Sequence, residues 1–290
     1  MLKKRLIACL IVRDGLIVQS VGFNKYLPIG YPRFSIEFVA RWDVDEIVLL
    51  DISSTKDNGS INKNTLKDLT KVCFVPLTVG GGIKSVDDAL NIIKAGADKV
   101  SINTYAVERP EIITEISEKF GSQCVVVSID CRLESNGKYQ VYTDSGAKAT
   151  GLNPVAWAKK VELLGAGEIF LHSIDRDGLK QGYDTELIKS IVNAVSIPVI
   201  ASGGVGLFSH FSSGVMDGGA AAVAAANIFH HTEHSTIVAK THLLNAGIDV
   251  RIDSEATYKD REFDESGRLI MLSESGLSKI KIQRGKKELI

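Results

Sequence analysis

Pro76-Leu77-Thr78-Val79-Gly80-Gly81-Gly82-Ile83 and Pro198-Val199-Ile200-Ala201-Ser202-Gly203-Gly204-Val205 are one pattern written twice, 122 residues apart. Each reads as a short apolar strand that runs into glycines and then into a helix. Glycine at such a junction lets backbone N–H groups approach an anion closely, and a helix N-terminus behind them favours negative charge. Two such turns half a chain apart predict two phosphate cradles related by internal duplication. A ligand with a phosphate at each end would suit them.

Working outward from these turns, apolar runs of strand length recur near 5–12, 45–51, 73–79, 97–103, 124–130, 167–173, 197–202 and 219–225. They are nearly continuous in Val, Ile, Leu and Ala, as strands buried on both faces should be. Amphipathic stretches fit helices near 32–42, 61–71, 85–95, 107–119, 153–164, 184–194, 207–217 and 234–246. Strict β-then-α alternation predicts a parallel sheet. Eight such units in about 250 residues match a closed (β/α)8 TIM barrel, with a doubly wound open sheet as the alternative. The duplication favours the barrel. Residues 45–52 (Asp-Glu-Ile-Val-Leu-Leu-Asp-Ile) align with 167–174 (Gly-Glu-Ile-Phe-Leu-His-Ser-Ile), and 95–100 with 218–223, at an offset of 122 or 123. The barrel is expected to span 1–251. Residues 252–290 turn polar and charged and are expected to form an appendage outside it, as a small hairpin around Ser273–Gly276 or as a partly disordered tail.

The bulk numbers exclude several classes. A net charge of -1 over 290 residues gives no general basic field for nucleic acid, so an anion site must be local. No apolar stretch approaches the ~20 residues of a membrane span. The start, Met1 to Val12, has two lysines and a short apolar run but no small-residue cleavage site. It reads as a strand rather than a signal peptide. Cys9, Cys73, Cys124 and Cys131 form no CxxC pair and read as buried free thiols of a cytoplasmic protein. No metal-ligand spacing and no cofactor motif is seen. His230, His231 and His234 form a weak cluster that reads as a solvated helix start.

In a barrel of this type ligands sit at the C-terminal ends of the strands. The stretch Arg13 to Pro32 is too long for a tight connection and is a candidate lid. Asp51-Ile52-Ser53 follows the second strand. The fourth strand ends in Asn103-Thr104 and the fifth in Asp130. Asp175-Arg176-Asp177-Gly178 follows the sixth, and Ala226-Asn227 the eighth. The insert 131–150 carries Lys138-Tyr139-Gln140-Val141-Tyr142-Thr143 and predicts a small hairpin.

Leu77-Thr78-Val79-Gly80-Gly81-Gly82-Ile83, Ala95-Gly96-Ala97-Asp98-Lys99-Val100-Ser101-Ile102-Asn103-Thr104, Phe120-Gly121-Ser122-Gln123-Cys124-Val125-Val126-Val127 and Asp175-Arg176-Asp177-Gly178 together resemble the cyclase subunit of imidazole glycerol phosphate synthase, the HisF-type barrel of histidine biosynthesis. The resemblance covers about 1–251. It implies a subunit that takes ammonia from a separate HisH-type glutaminase. The family adds that ammonia to a bisphosphorylated ribulosyl imidazole-carboxamide, giving imidazole glycerol phosphate and an aminoimidazole ribotide. By position, one phosphate site would use Gly82, Asn103 and Thr104. The other would use Asp177, Gly178, Gly204 and Ala226.

The resemblance also implies two aspartates acting as general acid and base, on the first and fifth strands. The second is present as Asp130, whose plainer reading is a carboxylate accepting loop N–H bonds. The first is missing. The family pattern Cys-Leu-Asp-Val is here Cys9-Leu10-Ile11-Val12, and isoleucine carries no proton. General acid–base assistance contributes typically 10²–10⁴-fold, so the family reaction should be nearly silent. Further departures lie close by: Gln19 for a lid lysine, His172 for a small hydroxyl residue, Asn227 for a serine. His172 reads either as a new acid or base or as a histidine bonded within the core or a loop. At the opposite end, Arg5, Glu46, Lys99 and Glu168 match the family's charged ring through which ammonia enters. Asp98 matches a contact to the glutaminase. An ordinary salt-bridge cluster closing a barrel floor is the plainer reading of the ring. Three functions follow: a paralogue supplying ammonia for another amidation, such as that of a nucleotide sugar in surface-polysaccharide synthesis, through a third amidating protein; a working cyclase; or a non-catalytic scaffold that binds a phosphometabolite.

Overall fold

The computed structural model describes residues 3–53, 63–230, 235–253, 258, 262–264, 269–270, 273 and 275. The chain divides into two compact units, 1–259 and 260–290. The first opens with β1 (Arg5–Arg13), β2 (Leu16–Val21), β3 (Lys25–Gly30), α1 (Pro32–Arg41), β4 (Glu46–Asp51), α2 (Lys63–Thr70), β5 (Leu77–Gly80) and α3 (Val86–Lys94). It continues with β6 (Lys99–Ile102), α4 (Thr104–Glu108), α5 (Glu111–Phe120), β7 (Val125–Leu133), β8 (Tyr139–Thr143), β9 (Lys148–Ala149) and α6 (Pro154–Leu163). Then come β10 (Glu168–Ser173), α7 (Thr185–Val192), β11 (Val199–Ser202), α8 (Ser209–Met216), β12 (Ala222–Ala225) and α9 (Ser235–Asn245). Eight of these strands pair in parallel in the order β1-β4-β5-β6-β7-β10-β11-β12, and β12 returns to β1 with Arg5 opposite Ala222. The sheet is therefore a closed (β/α)8 barrel.

The sequence-based limits shift for local reasons. The strand expected from residue 73 begins at Leu77, and that expected from 197 at Val199, each just after a proline that has no N–H for the ladder. The helix expected over 107–119 is instead two, α4 and α5, separated at Arg109-Pro110. Arg13 to Pro32, expected to be too long for a tight connection, carries strands of its own. It is an ordered hairpin, β2 and β3, running antiparallel from the top of β1 with Ile11 opposite Val18. Asp14 and Gly15 make its first turn at φ 51° and 79°. Both central residues at positive φ match the twist of the flanking strands. The insert over 131–150 is a hairpin as expected: β8 lies antiparallel to β7, with Asp130 opposite Tyr142, and β9 adds a short third strand.

Cys9 and Cys131 are buried free thiols, but Cys73 and Cys124 are only half-buried. In the second unit Phe263 and Leu269 form an antiparallel bridge. The turn expected at Ser273–Gly276 includes Glu274 and Gly276, which lie outside the described residues, as do His231 and His234.

Strand side chains alternate between faces, so one parity of each barrel strand points to the axis. On β1 the inward set is Arg5, Ile7, Cys9 and Ile11. Ile7, Cys9 and Ile11 form one buried apolar cluster with Val48, Val126, Phe170, Ile200, Ala222 and Ala224. Arg5 lies at the N-terminal end of that line and Ile11 near its C-terminal end. Six residues at about 3.3 Å each separate them by roughly 20 Å.

Candidate active site

At the N-terminal end of the barrel the four charged residues close a ring. Arg5 Nη1 lies 2.6 Å from Glu46 Oε1 and 2.9 Å from Glu168 Oε1. Lys99 Nζ lies 3.2 Å from both Glu46 Oε2 and Glu168 Oε2. Each carboxylate thus bridges both cations. Burial works against the Arg5 charge, but Glu168 and Glu46 together hold its pKa above the ordinary guanidinium value. Asp98 is exposed beside the ring, where its Oδ2 accepts from Leu77 N at 2.8 Å.

The opposite end holds a cavity of about 100 Å³. Ile11, Gly82, Asn103, Thr104, Asp130 and His172 all contribute to its wall. The first glycine turn is shaped by its neighbours. Gly81 has φ 120°, and a Cβ there would lie 2.3 Å from the Asp51 carbonyl oxygen. Only glycine lets these adjacent strand ends approach so closely. The lining carries the carboxylates Asp51 and Asp130 and no lysine or arginine among the described residues. An anion held here would therefore rely on backbone N–H groups and on neutral side-chain donors such as the Thr104 hydroxyl.

Asp130 is 8% exposed. Its Oδ1 accepts from Ser128 Oγ at 2.9 Å, and its Oδ2 from Asn103 Nδ2 at 3.2 Å. The same Asn103 amide donates to the Ser128 carbonyl at 3.1 Å. Asn103, expected beside a phosphate, is thus also the clamp that orients Asp130. Burial pushes the Asp130 carboxyl above its usual range, against the pull of His172 and Ser128, while Asp177 adds to the rise. Such a group suits proton transfer nearer neutrality than an exposed aspartate. Facing it, Ile11 is 7% exposed and packs among Leu50, Ile52 and Tyr26. Asp51, the other carboxylate on the wall, accepts from both the N–H and the hydroxyl of Ser53 through Oδ1, at 3.0 and 2.6 Å.

The second set of expected phosphate residues does not line this cavity. Gly204 has φ 104°, and a Cβ there would lie 2.1 Å from the Gly182 carbonyl oxygen. Asp177 is buried, with His172 Nε2 3.4 Å from its Oδ1. Its Oδ2 accepts from Ser20 Oγ at 2.6 Å and Phe23 N at 3.3 Å. Burial alone would raise the Asp177 carboxyl. The neighbouring His172 imidazole and the bonds from Ser20 and Phe23 outweigh it and hold the carboxyl below its usual range. Ser20, Phe23 and Tyr26 of the hairpin also line the cavity. None of the three was marked from sequence, although the Asp14-Gly15 pair was a readable signal for the hairpin that carries them.

Among the described residues no group of three or more His, Cys, Asp or Glu could hold a metal ion, and no helix is long and apolar enough to cross a membrane.

Comparison with known sequences adds two findings. A family described as "Histidine biosynthesis protein" matches residues 5–235. The chain is 47% identical over 268 residues to a protein of Vibrio vulnificus (strain YJ016) provisionally named imidazole glycerol phosphate synthase subunit hisF2. That match covers 92% of this chain and 98% of the Vibrio protein.

Proposed function

Because this chain belongs to the histidine biosynthesis protein family, and to its HisF-like cyclase-subunit branch, we propose that it receives ammonia from a HisH-type glutaminase and supplies it to another amidation. The glutaminase would dock at the N-terminal face, beside Asp98 and the ring of Arg5, Glu46, Lys99 and Glu168. Amidation of a nucleotide sugar in surface-polysaccharide synthesis, completed by a third protein, is the reaction class we favour. In this reading the barrel is 1–251, and 252–290 is an appendage to it.

One observation carries the proposal: the ring is complete while the acid–base pair at the other end is halved. Ile11 places a hydrocarbon side chain where the resemblance calls for a proton carrier. The Ile7, Val48, Val126, Phe170 and Ile200 wall between the two ends is apolar. Such a wall admits neutral ammonia far more readily than ammonium, whose charge would lose its hydration there. The ring contacts, all 3.2 Å or shorter, must part for ammonia to enter.

The printed name of the Vibrio relative and the intact Asp130 clamp favour a second reading, a working cyclase of histidine biosynthesis. Two measurements separate them. The ammonia-supply reading expects a complex with a HisH-type glutaminase and stimulated glutamine hydrolysis, reduced when Lys99→Met opens the ring. It also expects no rescue of a histidine auxotroph that lacks its cyclase. Absence of a complex at micromolar concentration refutes the first expectation. Rescue at ordinary expression replaces the first reading with the second.

A further inference from the structure

The two glycine turns are alike in sequence but not in the folded chain. The turn of the first half, with Gly81 and Gly82, opens onto the cavity that Ile11 and Asp130 line. The loops of the second half are bridged by the β2–β3 hairpin instead. Gly22 N donates to the Asp177 carbonyl at 2.9 Å. Ser20 Oγ and Phe23 N both donate to the Asp177 carboxylate. From the loop after β12, Asn227 Nδ2 donates to the Ser20 carbonyl at 2.8 Å. That carbonyl oxygen also abuts Gly178, where a Cβ would lie 2.4 Å from it. A backbone oxygen of the hairpin therefore sits between the loops after β10 and β12.

Two positions that depart from the family pattern take part in this grip. Asn227 stands where a serine is usual, and it is its Nδ2 that bonds the Ser20 carbonyl. His172 stands where a small hydroxyl residue is usual. Its ring meets that of Phe23 edge-on, with centroids 4.8 Å apart. A phosphate entering here would have to displace the hairpin oxygen and approach the Asp177 carboxylate. Like charges at such range repel strongly when partly buried.

We infer that the C-terminal face takes a ligand with one phosphate, seated at Gly82 and Thr104, and that the hairpin plugs the second cradle. The inference is independent of the ammonia supply and takes from the family resemblance only that the bound molecule is a phosphometabolite. It narrows that class from bisphosphates to monophosphates.

The test counts inorganic phosphate bound to the full-length chain by calorimetry and phosphorus NMR. One equivalent is expected, lost in Thr104→Glu. Asn227→Ser combined with Ser20→Ala, which removes two of the four bonds holding the hairpin to these loops and leaves those from Gly22 N and Phe23 N to Asp177, should raise the count to two. Two equivalents or none on the unaltered protein would overturn the inference. So would a count that stays at one in the double variant. If that variant does not fold, the count on the unaltered protein still decides. Glutaminase stimulation recorded on the same preparation separates the two claims. Stimulation with two phosphates bound sinks only the plug, and one phosphate without stimulation sinks only the ammonia supply.

Discussion

Replacing Ile11 by aspartate tests whether a proton carrier at this position is what the family reaction would need in this chain. Ile11 is 7% exposed within the axial apolar cluster. Removing a side chain of this size from water-free packing forfeits about 1.5–3 kcal/mol of transfer free energy. Large-to-small exchanges at such sites span about 2–5 kcal/mol once the unfilled space is included. A carboxylate added there loses hydration and faces Asp130, so Ile11→Asp is expected to lower stability by about 3–5 kcal/mol at neutral pH. Ile11→Asn has nearly the same shape without the charge and is the control. A carboxyl whose folded pKa is raised binds more protons folded than unfolded. The aspartate variant should therefore lose stability relative to the asparagine variant as pH rises from about 4. Turnover of the bisphosphorylated histidine precursor with ammonium salts reads the chemistry. A restored acid–base group contributes typically 10²–10⁴-fold. With the hairpin and Asn227 unchanged, the gain for Ile11→Asp is expected near the lower bound, about 10²-fold, and absent for Ile11→Asn. Equal rates in the two variants, or brisk turnover by the unaltered protein, would refute the argument.

Two further outcomes follow from the geometry. Burial raises the Asp130 carboxyl, so Asp130 weakens the fold progressively as pH climbs from its unfolded value of about 4 through its folded one. The stability of Asp130→Asn relative to the unaltered protein should accordingly grow with pH over that window and level off below it. Urea titrations at several pH values measure this, and a difference that shrinks with pH contradicts it. Gly204→Ala should destabilise by about 1–3 kcal/mol more than Gly151→Ala. Both glycines have positive φ, but the new methyl at 204 meets the Gly182 carbonyl at 2.1 Å, while that at 151 meets nothing within 4 Å. Equal urea midpoints would show that the backbone at 204 yields without penalty.

The barrel was legible because its signals are local and periodic. Apolar strand runs and the helix spacing between them lie within short windows and the repeat offset is constant, while Pro76 and Pro198 only trimmed strand limits and Arg109-Pro110 divided one helix into two. The charged ring was legible for a related reason: Arg5, Glu46, Lys99 and Glu168 occupy the first inward position of four strands, so parity alone brings them together. The plugged cradle was not legible. Ser20 and Asp177 are 157 residues apart, and neither residue type announces a bond to the other. The double use of Asn103 was hidden likewise, because one amide can face an anion or clamp a neighbouring carboxylate. Hydrophobic patterning also concealed Lys240. It is fully buried in α9, with its Nζ 2.8 Å from Asp45 and 3.3 Å from Asp43.

The charged ring itself argues that its charges serve something other than the fold. Its side chains are only 9–24% exposed, so four ions have lost much of their hydration to meet one another. Buried ion clusters of this kind are weak contributors to stability, and well-packed apolar replacements are often as stable or more so. Ile11, some 20 Å up the same inward line, is such an apolar residue in place of a charge. If packing alone governed the axis, the lower ring would be as free to become hydrocarbon as position 11. A molecule that carries the charged ring at one end of the barrel axis and hydrocarbon at position 11 fits the proposed task of entry and docking better than it fits ring closure.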